Sequence, residues 1–248
     1  MATASNPAVR RPRRPTKVVG TGVLTRLKAM IARGELQPGD KLPAERDLAV
    51  RLGVSRPSLR EALRTLVVMG ALDTRHGSGT LLSPTGANVL KSSFEMLVLL
   101  EQPAIEDLYE TRELIEVHLA GRAAERRLAG DLRILARALS DLEAATPGAR
   151  ACVEANLRFH TAIAAAARCV VLERVMACMH DSISDSIRSA AAGVDDLDGS
   201  LAVHRSIYQS IRRGDAEGAR QAMAQHMAMA RADAGRALQT AAKPRNPS

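Results

Sequence analysis

One stretch of this 248-residue chain decides its fold class: residues 34–80 have the sequence GELQPGDKLPAERDLAVRLGVSRPSLREALRTLVVMGALDTRHGSGT. Gly34 ends an apolar repeat with helical spacing, and Gly53 separates a short helical segment from a longer one. Ser55 is a suitable N-cap for that longer helix. Two short apolar segments then flank the glycine-containing tip RHGSG. We therefore predict that residues 18–84 form a winged helix-turn-helix of three helices and a two-stranded wing.

Positive charge is concentrated in the same third of the chain. Residues 1–84 carry 15 Lys and Arg against six Asp and Glu, whereas residues 85–248 carry 20 against 21. This asymmetry indicates a polyanionic partner for the N-terminal third. Residues 1–17 are basic, contain no acid and are predicted to be a disordered arm. The sequence leaves open whether this arm contacts phosphates or is an inert tail.

Several side chains stand where a recognition helix would meet the edges of bases. Arg56, Ser58 and Arg60 lie in the first turn of the third predicted helix, and arginine can bind guanine through two hydrogen bonds. Arg46 on the preceding helix is placed to bind the flanking phosphate backbone, and His76 lies at the tip of the wing. The alternative is an ordinary solvated basic face.

Amphipathic helices account for nearly all of the chain after residue 84. We predict an all-α bundle over residues 93–240, preceded by a linker at 85–92 and followed by a polar tail at 241–248. Aromatic residues make up only 2% of the sequence, so the core is expected to be aliphatic. There is no membrane-length apolar run or secretory signal, and the three cysteines lack CxxC spacing. We therefore expect a cytoplasmic, nucleoid-associated protein with no membrane partner.

Four side chains in this bundle are predicted to converge on a metal ion. Asn156 and His160 are four residues apart and share one helix face. His204 and His226 lie ten and eleven residues from a Gly-Asp turn, so an antiparallel helical hairpin would place them level with each other. Imidazole suits zinc, nickel or another late first-row ion, and three histidines leave coordination positions open for a carboxylate. On spacing alone, hydrogen-bonded core or surface histidines are an equally good interpretation.

The N-terminal segment resembles the signature of the GntR family of bacterial regulators. The matching residues are 34–49, 52–63, 70–72 and 77–80. The resemblance implies a winged helix-turn-helix that binds double-stranded DNA. It also implies DNA contacts from seven residues: Arg46, Ser55, Arg56, Ser58, Arg60, His76 and Gly77.

The C-terminal segment resembles the all-helical FCD ligand-binding domain of the FadR-type branch of that family. The matching residues are 112–116, 156–160, 204–207, 214–216, Ala219, Met223 and His226. In that branch one acidic residue and three histidines commonly hold a metal, and here Asn156 stands at the acidic position, which implies weaker binding. The resemblance places Arg112 towards the cavity, where it would pair with an acidic effector. The alternative for Arg112 is a surface salt bridge with Glu116.

The leading hypothesis is a dimeric repressor or activator that binds a palindromic operator and responds to a small organic acid. One alternative is a regulator that responds to the metal itself, and another is a regulator that responds to an acyl-thioester. A metal-dependent hydrolase is a remote alternative, because no general base is evident near the histidines. We therefore predict that the protein is not an enzyme.

Overall fold

The computed structural model describes residues 19–75, 79–146, 149–180 and 197–242. The basic arm predicted at 1–17 therefore lies outside the described residues, as do His76, Gly77 and most of the polar tail. The chain divides into two compact units, which meet between Val89 and Leu90.

Three helices and a hairpin form the N-terminal unit, in agreement with the prediction from the sequence. The elements are α1 (Val19–Ala32), α2 (Glu45–Arg51), α3 (Arg56–Val68), β1 (Leu72–Arg75) and β2 (Gly79–Leu82). The two strands pair antiparallel, with Leu72 opposite Leu82. The helices share one apolar core that includes Leu48 and Leu59, both fully buried.

The start of α3 is fixed by local chemistry. Gly53 has a φ of +57°, a left-handed conformation that glycine adopts without steric penalty. Ser55 is extended, and its Oγ accepts a hydrogen bond from the backbone N–H of Ser58 at 3.3 Å. The glycine turn and the cap together place the first turn of α3 at the surface of the unit.

Loss of this cap is expected to destabilise the N-terminal unit. Ser55→Ala leaves a first-turn N–H without its acceptor, so we expect the free energy of unfolding to fall by about 1 kcal/mol. Denaturant titration followed by circular dichroism measures the change. Val68→Ala, at an 83% exposed position in the last turn of the same helix, is the control and should change stability by less than about 0.5 kcal/mol. Equal losses in the two variants would contradict a capping role.

Helices make up the described part of the C-terminal unit. They are α4 (Ala87–Glu101), α5 (Ile105–Arg126), α6 (Ala129–Ala144), α7 (Arg150–Ala166), α8 (residues 170–180), α9 (Leu197–Arg213) and α10 (Ala216–Ala242). The linker predicted at 85–92 contains the boundary between the two units, and its residues from Ala87 onward are helical. Residues 87–92 contain no helix breaker and continue directly into the apolar repeat of α4, so they are helical.

Helix α5 lies at the centre of the C-terminal unit, where it packs against α7, α9 and α10. Helices α9 and α10 are joined by a turn at Gly214, whose φ is +78°, and they pack along each other as a hairpin. Small and aliphatic side chains fill the core, with Ala120, Phe159 and Ile207 fully buried. Among the described residues, no helix is both long and apolar enough to cross a membrane.

Candidate functional site

The structure brings three histidines together inside the C-terminal unit. His160 on α7, His204 on α9 and His226 on α10 are buried, and one ring nitrogen of each lies within 4.8 Å of the others. The Nε2 atoms of His160 and His226 are 3.1 Å apart. The ring centroids of His204 and His226 are 4.3 Å apart, so the hairpin sets them level, as the spacing predicts.

Asn156 completes the group that the sequence singled out. Its Oδ1 lies 3.0 Å from Nε2 of His204. Nδ1 of His204 lies 2.8 Å from the carbonyl oxygen of Ser200. A carbonyl only accepts hydrogen bonds, so Nδ1 carries the proton and Nε2 presents a lone pair to the amide oxygen. Two acceptors thus face each other, and either a nearby cation or rotation of the Asn156 amide relieves that repulsion.

The donor set fits a divalent metal ion. Two ligand atoms bound to one tetrahedral zinc ion at 2.0–2.1 Å lie about 3.3–3.4 Å apart. The His160–His226 and His204–Asn156 separations of 3.1 Å and 3.0 Å are a few tenths of an ångström shorter, so small side-chain shifts would reach this spacing. Three imidazoles and one amide oxygen are also the ligand types that late first-row ions accept.

Burial holds His204 and His226 in the neutral form. Burial and, to a smaller extent, repulsion from His160 together lower the pKa of His204 to about 4. Burial likewise lowers the pKa of His226 well below its ordinary value, with His204 and His160 acting in the same direction. At neutral pH these two rings are uncharged, which is the form that binds metal.

Acid is expected to destabilise the metal-free protein between about pH 6.5 and pH 4. The pKa of His204 is about 4 in the folded state and about 6.5 in the unfolded state. As the pH falls, His204 is therefore protonated in the unfolded state before it is protonated in the folded state. This difference lowers the free energy of unfolding by about 3 kcal/mol for this residue alone. Denaturant titrations of chelator-treated protein from pH 7 to pH 4 measure the loss.

Two variants separate this effect from general acid sensitivity. His204→Gln should reduce the pH dependence of stability, because it removes one of the buried histidines with a depressed pKa. His118→Gln changes an exposed histidine of α5 and should leave the pH dependence as it is. Identical pH profiles for the two variants would contradict the assignment.

A buried carboxylate lies directly behind the cluster. Oε2 of Glu116 on α5 faces Nδ1 of His160 at ion-pair distance. Its Oε1 accepts a hydrogen bond from Nε of Arg112 at 2.8 Å and lies 3.4 Å from Nε2 of His180. Burial alone would raise the pKa of Glu116, but His160 and Arg112 outweigh it and hold the pKa well below its usual range. Glu116 is therefore ionised.

Arg112 is buried in the C-terminal unit. Arg112 and Glu116 are only 2% and 3% exposed, and the guanidinium also lies over the ring of Tyr109, 5.0 Å from its centroid. Arg112 therefore forms the salt bridge with Glu116 that the alternative interpretation predicted, but the pair is buried and not at the surface. A role in effector binding stays a prediction.

No spacing in the sequence linked His180 to the three histidines, and the sequence indicated Glu116 only as a partner for Arg112. In the structure both are buried beside His160, with the His160 and His180 rings 5.8 Å apart. The only signal was the four-residue spacing of Arg112 and Glu116 on α5, which does not distinguish a buried pair from an exposed one.

The side chains predicted to contact DNA lie on one part of the N-terminal unit, around α2 and the start of α3. The described members are exposed or partly exposed: Arg46, Ser55, Arg56, Ser58 and Arg60. Arg60 donates two hydrogen bonds to Glu45, at 2.7 and 2.9 Å, and Arg46 lies 3.3 Å from Asp47. Exposed pairs of this kind contribute little stability, so these arginines can exchange a carboxylate for a phosphate.

Comparisons with known proteins agree with this division of the chain. Residues 20–82 match the family described as bacterial regulatory proteins, gntR family, and residues 107–229 match the FCD domain. The HTH-type transcriptional regulator LutR of Bacillus subtilis (strain 168) is 30% identical over 206 residues, which are 80% of this chain and 93% of that protein. The chain belongs to the GntR family.

Two further similarities extend over most of this GntR-family chain. A protein of Escherichia coli (strain K12), whose name assigns it to regulation of the L-lactate dehydrogenase operon, is 34% identical over 214 residues, 83% of this chain and 82% of that protein. The solved structure of Streptococcus agalactiae GntR has a TM-score of 0.63 at 27% identity and covers 86% of this chain and 99% of its own. The relatives are regulators, so the chain is a DNA-binding transcriptional regulator and not an enzyme. Its FCD domain fits the FadR branch.

Proposed function

We propose that this GntR-family regulator is a homodimeric repressor whose affinity for a palindromic operator is set by a small carboxylate bound at a divalent metal in the C-terminal unit. The observation that carries the proposal is the buried cluster of His160, His204, His226 and Asn156, whose donor atoms face one point. A two-fold dimer would place two recognition helices on two half-sites.

Charge in the site favours an anionic effector. The charges of Arg112 and Glu116 cancel, imidazoles are neutral as metal ligands, and Asn156 contributes no charge. A divalent ion would therefore bring uncompensated positive charge into a buried region, which is unfavourable. A carboxylate at an open coordination position would supply the missing negative charge.

The named relative of Escherichia coli suggests which carboxylates to test first, because it is assigned to an L-lactate dehydrogenase operon. L-lactate can bind one metal through its carboxylate and its 2-hydroxyl together. We expect L-lactate to raise the melting temperature of the zinc-loaded protein more than propionate does, since propionate lacks the hydroxyl.

The same thermal-shift experiment separates the alternatives. A response to zinc with none to any carboxylate would favour a regulator of metal supply. A response to acyl-thioesters alone would favour that class of effector. Equal increases in melting temperature with L-lactate and propionate would still support a carboxylate effector, but would contradict a contact between the metal and the 2-hydroxyl.

The amide at Asn156 is expected to limit metal affinity. Asn156→Asp adds a negative charge beside the histidines, so Zn²⁺ should bind about tenfold more tightly in the absence of a carboxylate, a gain of about 1.4 kcal/mol. The variant should also depend less on added carboxylate. Asn156→Ala, which removes the donor, should weaken binding, and competition with a chromophoric chelator measures all three affinities. Equal affinities would contradict a ligand role for Asn156.

A further inference from the structure

We infer that Glu116 is a positioning residue of the metal centre: its carboxylate holds His160 in the tautomer and orientation that present Nε2 to the metal. The inference rests on the proposed metal binding and adds a residue that is not itself a ligand. It is carried by the placement of a buried carboxylate directly behind a candidate ligand, on the side of the ring away from the cluster.

The two ring nitrogens of His160 face different partners. Nδ1 faces Oε2 of Glu116 at ion-pair distance, although the contact lacks hydrogen-bond geometry in this structure. A carboxylate can only accept at that position, so a proton on Nδ1 is favoured. In the neutral ring, the form that binds a metal, Nε2 is then left with a lone pair, and Nε2 is the atom that lies 3.1 Å from Nε2 of His226. The tautomer that Glu116 selects is thus the one the cluster needs.

His204 shows the same arrangement with a different acceptor. Its Nδ1 lies 2.8 Å from the carbonyl oxygen of Ser200, while its Nε2 faces Asn156. Two of the three candidate ligands therefore have an acceptor behind them that fixes the ring. Histidines that bind metals almost always donate their other N–H to a carboxylate or carbonyl, and loss of that partner lowers metal affinity about 10–100-fold.

Glu116 is itself held from the side opposite His160. Nε of Arg112 donates to Oε1, the oxygen that does not face His160, at 2.8 Å. Nε2 of His180 lies 3.4 Å from that same oxygen. Oε2 is therefore directed at His160, and Arg112 acts on the metal site through Glu116.

Removal of Glu116 alone would leave the buried charge of Arg112 unpaired, so the test uses double variants. Arg112→Met with Glu116→Gln removes both charges and keeps an acceptor for Nδ1 of His160. Arg112→Met with Glu116→Leu removes both charges and the acceptor. Glu110→Gln changes an exposed glutamate of the same helix and is the control.

Two measurements on the full chain decide the inference. In metal-free protein, ¹⁵N NMR of the histidine rings should show His160 protonated at Nδ1 in wild type and in the Gln double variant, but a mixture of tautomers in the Leu double variant. Zn²⁺ affinity should fall about 10–100-fold in the Leu double variant and less in the Gln double variant. Circular dichroism and denaturant titration check that each variant is folded.

An unchanged tautomer, or equal Zn²⁺ affinity in the two double variants, would overturn the role of Glu116 while wild type still binds the metal. A wild-type protein that binds no Zn²⁺ would overturn the proposed function, and the role of Glu116 in metal binding with it. The affinity of the wild-type protein therefore distinguishes the two failures.

Discussion

Replacing His226 with alanine is expected to lower Zn²⁺ affinity by at least about 100-fold, or about 2.7 kcal/mol, and to remove the response of the operator complex to carboxylates. His226 is fully enclosed between His160 and His204, with its Nε2 3.1 Å from that of His160. The remaining donors would leave the ion with one ligand fewer and a cavity on one side.

The His226→Ala variant should still bind the operator, because the side chain lies in the C-terminal unit and the recognition helix in the N-terminal one. Calorimetric titration with Zn²⁺ and fluorescence anisotropy with labelled operator measure the two properties. His118→Ala, an exposed histidine of α5, should retain both. Wild-type Zn²⁺ affinity in His226→Ala would show that this cluster does not hold the metal.

Replacing Arg56 with alanine is expected to weaken operator binding by about 1–3 kcal/mol, or roughly 5–150-fold. Arg56 is the first residue of α3 and is exposed, so its guanidinium is placed to reach base edges in the major groove. A contact to bases also predicts relaxed specificity at one position of each half-site.

Salt dependence distinguishes a base contact from a phosphate contact at Arg56. Loss of a phosphate contact would weaken binding to all sequences and reduce the slope of log affinity against log salt by about one. Arg64→Ala, two turns further along the same exposed side of α3, is the matched control and should have the smaller effect. An Arg56→Ala variant with wild-type affinity and specificity would contradict the interface.

The N-terminal unit could be predicted from sequence because its signals are local. Gly53 and Ser55 fix the turn and the start of α3 within a few residues, and the structure places both as expected. The His204–His226 pairing could also be predicted, because a hairpin with a short turn relates the two positions by counting along the chain. The start of α3 depends on residues that are close in sequence, and the His204–His226 pairing depends on two helices that are joined by one short turn.

The environment of His160 could not be predicted in the same way. Glu116 comes from α5 and His180 from α8, so they meet His160 only through tertiary packing that no spacing in the sequence specifies. The Arg112–Glu116 pair has the four-residue spacing of an exposed helical ion pair, yet it is enclosed by the helices that pack around α5.

Metal-dependent control of DNA binding is tested most directly by operator affinity measured with and without Zn²⁺ and L-lactate. The operator is the sequence that the full-length protein selects from random DNA, and anisotropy titrations compare chelated protein, zinc-loaded protein, and each with L-lactate. We expect L-lactate to change operator affinity only in the zinc-loaded protein, and we expect this effect to be lost in His226→Ala. An equal effect of L-lactate on the chelated protein would contradict metal-dependent control.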